Sequence, residues 1–100
     1  MREFFVYIVR CSDGLYYTGV TNDLTRRIIE HNSGLNPKSF TYLRRPVELL
    51  FYETFSDPLS AFRVEKQIKG WSRRKKEALI DQEWDRLVKF SKNNQNPQDT

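Results

Sequence analysis

The chain has 100 residues, of which 17 are Lys or Arg and 13 are Asp or Glu, with one Cys, one His and a net charge of +4. The length fits one domain, and the sequence contains neither a signal-peptide pattern nor an apolar run of the roughly 18–20 residues that a membrane span needs. A single Cys excludes an intrachain disulfide and a cysteine-based zinc site, so the reducing cytoplasm is the expected compartment.

The predicted elements follow the order ββαβαα. Apolar runs between turn residues predict strands over 3–10, 15–20 and 47–55. Capping residues predict helices over 24–32, 58–69 and 72–80. Residues 81–89 are a candidate extension of the last helix. Residues 35–45 are expected to form a polar loop. A tight turn makes consecutive strands antiparallel, so the expected fold is α+β, a small three-stranded antiparallel sheet flanked by helices. We expect one domain over 1–90 and a disordered tail over 91–100.

The first hairpin decides whether Tyr7 and Tyr17 share a face of the sheet. Side chains alternate along a strand, so a two-residue loop at Asp13-Gly14 would put the two tyrosines on opposite faces. A three-residue loop with a left-handed Gly14 would instead place Tyr7 opposite Gly19 and diagonal to Tyr17. Two phenols beside the space left by Gly19 could hold a water or a phosphate oxygen. The ordinary alternative is that both tyrosines are packing residues.

The first helix carries Arg27 and the only His, His31, four residues apart. At about 100° per residue they stack on one flank of the inward stripe that Leu24 and Ile28 define. An Arg and a His at the edge of a core could act as a phosphate clamp and a proton carrier. The alternative is an ordinary surface pair.

The second helix has an inward apolar stripe that consists of Ala61, Val64, Ile68 and Trp71. Glu65 falls at roughly +40° from Ala61, with apolar residues on both sides. A carboxylate there is costly unless it is paired or binds a cation. A salt bridge to Lys69, one turn on, is the structural alternative. A carboxylate without a clustered second acid would suit a single, mostly hydrated ion, which is the habit of Mg²⁺.

Basic charge is concentrated before residue 77. Residues 1–76 hold 14 basic and 8 acidic side chains, whereas residues 77–100 hold 3 and 5. The densest cluster is the segment 69–76, KGWSRRKK, with five basic residues in eight. A basic patch beside an aromatic ring suits nucleic acid, and a solvated helix start is the plain alternative. The residues predicted to contact nucleic acid are Arg27, Arg44, Arg45, Lys69, Trp71, Arg73, Arg74, Lys75 and Lys76.

The ordered set of motifs resembles the GIY-YIG nuclease domain, found in the repair nuclease UvrC and in certain intron homing endonucleases. The resemblance is carried by Val6-Tyr7-Ile8, Tyr17-Thr18-Gly19, Leu24-Thr25-Arg26-Arg27, His31 and Glu65. It covers roughly residues 3–80. The runs YTGVTNDLTRRIIEHNSG, RRPVELLFYETF and EKQIKGWSRRKKEALI look like the small stand-alone bacterial members of that superfamily.

The resemblance implies an endonuclease that hydrolyses DNA with one Mg²⁺ or Mn²⁺ ion. Tyr7 and Tyr17 would orient or deprotonate the attacking water, and Arg27 would hold the scissile phosphate. His31 is the implied proton carrier, and Glu65 is the implied metal ligand. The implied partner is DNA, with branched or damaged DNA included, and no membrane is involved. A chain of 100 residues leaves no room for a targeting domain, so specificity is expected to come from the domain's own basic surface, from a protein partner that supplies targeting, or from substrate shape.

Three departures separate the chain from the family pattern. Phe5 stands where the first tripeptide has glycine, and Thr18 stands where the second has isoleucine. Both residues fit a strand. Many members carry an asparagine after the glutamate helix, and none occurs between Lys66 and Leu79. The rival interpretation is therefore a nucleic-acid-binding module of the same fold that lacks catalysis.

Overall fold

The structure, a computed structural model, describes residues 3–82. Its strands are β1 (Phe4–Arg10), β2 (Tyr16–Thr21) and β3 (Glu48–Phe55), and its helices are α1 (Leu24–Ser33), α2 (Pro58–Lys69) and α3 (Arg73–Ile80). The strands form an antiparallel sheet in the order β2-β1-β3. The predicted α+β class and the order ββαβαα are confirmed.

The central strand is β1, because its apolar side chains occupy both faces of the sheet. Val6, Tyr7, Ile8 and Val9 are each no more than 1% exposed. Leu24 and Ile28 of α1 pack on the face that carries Tyr7 and Val9, and α2 packs across all three strands. Burying an apolar side chain of this size contributes about 1.5–3 kcal/mol, so β1 anchors the fold and holds Tyr7 rigidly.

The hairpin between β1 and β2 has the three-residue loop. Gly14 has a φ of 86°, and the Cys11 N–H donates to the Leu15 carbonyl at 2.8 Å. A left-handed Gly is what such a loop requires. The register places Val9 opposite Tyr17 and Tyr7 opposite Gly19. Tyr7 and Tyr17 therefore share one face, and the two-residue alternative is wrong.

Local capping sets the ends of the first two helices. Asp23 caps α1 by accepting the Arg26 N–H at 3.1 Å, and Gly34 ends it in the left-handed conformation at φ 73°. Asp57 precedes α2 and accepts the Ser60 N–H at 3.3 Å. These capping bonds satisfy backbone groups that the helix itself leaves unpaired. Both helices begin where the sequence predicts.

The connection over 35–45 is more ordered than a polar loop. It contains a 3-10 helix at Tyr42–Arg44, and Thr41 is completely buried. The Val47 N–H donates to Asn32 Oδ1 at 2.7 Å and Asn32 Nδ2 donates to the Val47 carbonyl at 3.2 Å, and these two bonds close the connection at its base. The expected loop is present outside this short helix, and tertiary contacts, which no local pattern encodes, order it.

The described residues fall into two compact units, which divide between Lys69 and Gly70. In the second unit, Ser72 caps α3 by accepting the Lys75 N–H at 3.2 Å. Trp71 lies beyond the end of α2, so its predicted place on the α2 stripe is wrong. The helix α3 ends at Ile80, so Asp81 does not continue it.

The remainder of the predicted continuation, residues 83–89, and the predicted tail over 91–100 lie outside the described residues. The single domain over 1–90 stays a prediction. Among residues 3–82, no helix has the length and apolar character that crossing a membrane requires.

Candidate active site

The centre of the candidate site is a hydrogen-bonded chain of buried side chains. The Tyr7 hydroxyl of β1 lies 2.8 Å from Nε2 of His31 on α1. On the other side of the imidazole, Nδ1 lies 2.8 Å from Oγ1 of Thr41. Tyr7 is 1%, His31 3% and Thr41 0% exposed. The surface-pair interpretation of His31 is therefore wrong, because the imidazole faces inward and bonds on both nitrogens.

Gly19 is the residue that lets Tyr7 adopt this position. A Cβ at Gly19 would lie 2.5 Å from the Tyr7 hydroxyl oxygen and 2.6 Å from Cζ. The expected vacancy opposite Tyr7 is thus filled by the Tyr7 ring itself, which crosses the bare backbone of β2. The absence of a side chain at Gly19 serves a close approach and leaves no open pocket there.

Tyr17 forms the half-buried rim of the same site. Its ring centroid lies 6.3 Å from that of Tyr7 and 5.3 Å from that of His31. Phe40, from the connection before β3, stacks on its outer side at 5.9 Å with an interplanar angle of 21°. Tyr17 is thus packed between the buried imidazole and an exposed aromatic ring, which leaves it the more accessible of the two phenols.

Arg27 adds positive charge beside Tyr7. It lies one turn before His31 on α1, and its Nη1 is 3.2 Å from Glu30 Oε1. Its side chain retains 30% exposure, so the guanidinium can reach a bound anion. Burial lowers the pKa of the Arg27 guanidinium, but hydrogen bonding to Tyr7 and Glu30 outweighs it and the net pKa is raised.

Glu65 and Lys69 form an ion pair on α2. Glu65 Oε2 lies 2.7 Å from Lys69 Nζ, so the salt bridge expected as the structural alternative is present. Glu65 is 8% exposed, and its negative charge acts on Tyr7. The Lys69 ammonium lies 5.8 Å from the Tyr17 ring centroid. Hydrogen bonding to Glu65 is the main cause of the raised pKa of Lys69.

The pKa values of Tyr7 and His31 are shifted in opposite directions. Burial raises the pKa of Tyr7 to about 12, the charges of Tyr17 and Glu65 act in the same direction, and Arg27 partly offsets them. Burial also lowers the pKa of His31 to about 4, assisted by the positive charge of Arg27. At neutral pH Tyr7 is therefore a neutral phenol and His31 a neutral imidazole.

The described residues fit a single hydrated ion better than a protein-enclosed metal. No group of three or more His, Cys, Asp or Glu side chains lies close together within residues 3–82. One oxygen of the buried Glu65 carboxylate is held by Lys69, and a carboxylate has a second oxygen to offer. Mg²⁺ characteristically keeps several waters and takes one or two carboxylates, and Glu65 meets that requirement.

The predicted nucleic-acid contacts in the connection are engaged with the protein itself. Arg44 pairs with Asp13 at 3.1 Å, donates to the Phe40 carbonyl at 2.8 Å and lies over the Phe40 ring at 4.0 Å. Arg45 donates to the Tyr42 carbonyl at 2.7 Å and lies over the Tyr42 ring at 4.4 Å. These contacts give both arginines a structural role in ordering the connection, and their contact with nucleic acid stays a prediction.

The basic residues of α3 have unequal environments. Lys75 is buried at 8% exposure, with its ammonium 4.1 Å from the Trp71 ring centroid, and burial lowers its pKa. Arg73 pairs with Glu77 at 3.1 Å. Arg74 is exposed and Lys76 half-buried. Lys75 and Trp71 thus pack on each other, and the contact of Arg73, Arg74 and Lys76 with nucleic acid stays a prediction.

Sequence reasoning missed Thr41 and Phe40. Both lie in a stretch without helical or strand periodicity, where propensity arguments have nothing to measure. The available signal was composition, because the connection holds four apolar or aromatic residues, which are Leu35, Phe40, Tyr42 and Leu43. The five predicted site residues, by contrast, all come together in the first unit.

A family model of the GIY-YIG catalytic domain matches residues 3–78. The chain belongs to this family. GIY-YIG domains are nuclease domains, so the chain carries the fold and the site region of a nuclease family.

Relatives of similar size come from bacteria and archaea. The chain is 50% identical over 75 residues to a UPF0213 protein of Halobacterium salinarum, covering 75% of this chain and 96% of that protein. It is 45% identical over 78 residues to the UPF0213 protein YazA of Bacillus subtilis, covering 78% of each. The similarity to UPF0213 proteins confirms the expected resemblance to small members of the family.

Two solved structures share the fold. The solution structure of a UPF0213 protein from Bacillus halodurans is 42% identical, with a TM-score of 0.52 and coverage of 79% of this chain and 83% of that one. A solution structure from E. faecalis is 33% identical, with a TM-score of 0.58 and coverage of 82% and 86%. The matched region covers most of the length of both structures, which agrees with the small GIY-YIG domain described above.

Proposed function

We propose that this GIY-YIG protein is a metal-dependent endonuclease that hydrolyses phosphodiester bonds of DNA, with Tyr7, Tyr17, Arg27, His31 and Glu65 as its catalytic residues. The observation that carries the proposal is the 2.8 Å contact between the Tyr7 hydroxyl and His31 Nε2. It joins a buried phenol to a neutral imidazole beside a cation and a carboxylate. A packing tyrosine does not require such an arrangement.

Tyr7 and His31 supply proton transfer. A phenol with a pKa of about 12 is almost entirely protonated at neutral pH. Tyr7 therefore accepts one proton as it gives up its own. As a water attacks phosphorus and the bond from phosphorus to the leaving oxygen breaks, one water proton passes to the Tyr7 oxygen while the Tyr7 proton passes to Nε2 of His31. The leaving oxygen takes its proton from solvent. Positioned proton transfer of this kind contributes roughly 10²- to 10⁴-fold to a rate.

Tyr17 and Arg27 position the reactants. The half-buried Tyr17 hydroxyl is the group that orients the attacking water at the rim of the site. The guanidinium of Arg27 pairs with the scissile phosphate, where planar N–H groups match phosphate oxygens and oppose the charge that develops in the transition state. Glu30, which pairs with Arg27 in the structure, lies three residues later on α1. This pairing keeps the guanidinium oriented before DNA binds.

Glu65 would hold one Mg²⁺ or Mn²⁺ ion. The ion, when bound, supplies positive charge that opposes the charge on the phosphate and the leaving oxygen. Lys69, which already pairs with Glu65 at 2.7 Å, holds the carboxylate in a fixed direction. The low exposure of Glu65 limits competition from bulk water for its oxygens.

DNA is the proposed substrate, with branched or damaged forms included. We propose that Arg73, Arg74 and Lys76 attract its backbone electrostatically, with a protein partner supplying targeting and the cytoplasm as the compartment. Phosphate contacts of this kind position a duplex without reading its sequence.

The test is turnover of labelled DNA and RNA structures with Mg²⁺ or Mn²⁺. Wild type should cleave at least one DNA structure, and Glu65→Gln should lower the rate by about 100-fold or more because the carboxylate charge is removed. Glu48→Gln is the matched control, since Glu48 pairs with Arg10 at 2.6 Å on the exposed end of β3. Equal trace activity in wild type and Glu65→Gln would show contamination and end the proposal.

A binding module without catalysis is the second candidate, and the absence of asparagine between Lys66 and Leu79 favours it. It requires DNA binding that is salt-sensitive, independent of Mg²⁺ and retained in Glu65→Gln. Metal-dependent turnover that this variant lacks would exclude it.

A further inference from the structure

Thr41 has no assigned role, yet it completes the buried chain at the site. Its side chain is 0% exposed, and Oγ1 lies 2.8 Å from His31 Nδ1 and 3.2 Å from the Ser39 hydroxyl. A threonine that served only to fill space would not need to present its hydroxyl to an imidazole nitrogen. The contact suggests that Thr41 acts on His31.

The backbone around Thr41 is held from several sides. The Arg44 N–H donates to the Thr41 carbonyl at 2.9 Å, and the Ser12 N–H donates to the Arg44 carbonyl at 2.8 Å. Because the 3-10 helix is tied to the β1–β2 hairpin in this way, the Thr41 hydroxyl meets His31 in a set position.

The Tyr7 hydroxyl and Thr41 together set which nitrogen of His31 carries the proton. The Tyr7 side chain is 1% exposed, and its single hydroxyl proton has His31 Nε2, at 2.8 Å, as its acceptor. An Nε2–H would face that hydroxyl instead and leave its proton unpaired in a buried site.

The remaining assignments follow along the chain. A neutral imidazole with an accepting Nε2 carries its proton on Nδ1. The Nδ1–H therefore donates to Thr41 Oγ1, and the Thr41 hydroxyl donates onward to Ser39. Every donor between Tyr7 and Ser39 has an acceptor in this arrangement.

We propose that Thr41 is a positioning residue that fixes His31 as the Nδ1–H tautomer, so that Nε2 remains able to receive the Tyr7 proton. Its effect on turnover rests on the proposed function, whereas the tautomer itself does not. The partner of a histidine's second nitrogen commonly has this orienting effect, and its loss costs about 10- to 100-fold in activity at metal sites.

The experiment is ¹⁵N correlation spectroscopy of the full chain, without metal or DNA, in which His31 is the single histidine and gives one imidazole pattern. Wild type should show a protonated Nδ1 and an unprotonated Nε2 at neutral pH. Thr41→Val, which keeps the shape but removes the acceptor, should shift the population toward Nε2–H. Thr41→Ser, which keeps the hydroxyl, should preserve the wild-type pattern.

Turnover provides the second readout. Thr41→Val should lower kcat by about 10- to 100-fold at little-changed KM, and Thr41→Ser should restore most of it. A wild-type spectrum with the proton on Nε2 would overturn the proposal even if Thr41→Val failed to fold. So would a Thr41→Val protein that keeps both the Nδ1–H tautomer and full turnover. An inactive wild type with the Nδ1–H pattern would refute the proposed function and leave the tautomer assignment supported.

Discussion

His31 makes the stability of the protein depend on pH in a definite direction. Burial, with the Arg27 charge, lowers its pKa to about 4 from an unfolded value near 6.5. Between those values the unfolded chain binds a proton that the folded chain does not, so stability rises with pH. The contribution is complete above about pH 6.5 and is lost as the pH falls toward 4.

We expect wild type to lose up to roughly 3 kcal/mol of its free energy of unfolding between pH 7 and pH 4 through this one residue. Urea denaturation of wild type and His31→Gln at both pH values measures it. The variant keeps the carboxylates that also titrate in this range, so the difference between the two losses isolates His31. Equal losses would mean that the imidazole is not held neutral by the fold.

The roles of individual residues were predictable from sequence to different degrees. Helical spacing placed Arg27 and His31 on one flank of α1, and it placed Glu65 among apolar neighbours. Spacing within a helix cannot show what lies opposite, so the inward bond from His31 to Tyr7 was out of reach. Thr41 was missed for the same reason, since its partner is ten residues away in a different element.

At the level of elements, the Tyr7 ring of β1 crosses the backbone of β2 closely because β2 has glycine at position 19. We expect Gly19→Ala to cost about 1–3 kcal/mol of stability, as overpacking does, and to displace the Tyr7 hydroxyl from His31. Turnover should fall with it. The measurements are urea denaturation and kcat on the best substrate.

Gly14→Ala is the matched control in the same hairpin. Its φ of 86° makes a side chain strained, but a Cβ there meets nothing within 4 Å. It should lower stability by about 1–3 kcal/mol through the backbone alone and leave kcat near the wild-type value. Full turnover in Gly19→Ala would show that the position of Tyr7 is not needed for the reaction.

The elements themselves were largely predictable because short-range signals mark their ends. Asp23 and Gly34 bound α1, and Gly14 selects the loop that puts both tyrosines on one face. The connection over 35–45 carries no comparable signal. Its 3-10 helix depends on contacts with distant backbone, such as the bond from Ser12 to Arg44, which a local pattern cannot encode.

At the scale of the whole molecule, charge is distributed unevenly along the chain. The excess of basic over acidic side chains lies within residues 1–76, and the residues after it carry a small acidic excess. Several of these cations are committed to ion pairs within the fold, among them Arg10, Arg27 and Lys69. The count of 17 basic side chains therefore overstates the number of cations available to a polyanion, and the slope of binding against salt concentration measures that number directly.

We expect DNA binding without metal to weaken linearly on a plot of log K against log salt concentration, by about 0.9 for each phosphate contacted. Arg73→Gln with Arg74→Gln should reduce that slope by about 1–2, because each variant removes one counterion-releasing contact. Arg10→Gln with Arg63→Gln removes the same charge from other exposed positions and should change the slope little. If both pairs reduce the slope equally, net charge alone drives binding and the α3 segment is not the DNA contact. A reduction confined to the first pair, measured by fluorescence anisotropy over a range of salt, assigns the backbone contact to α3.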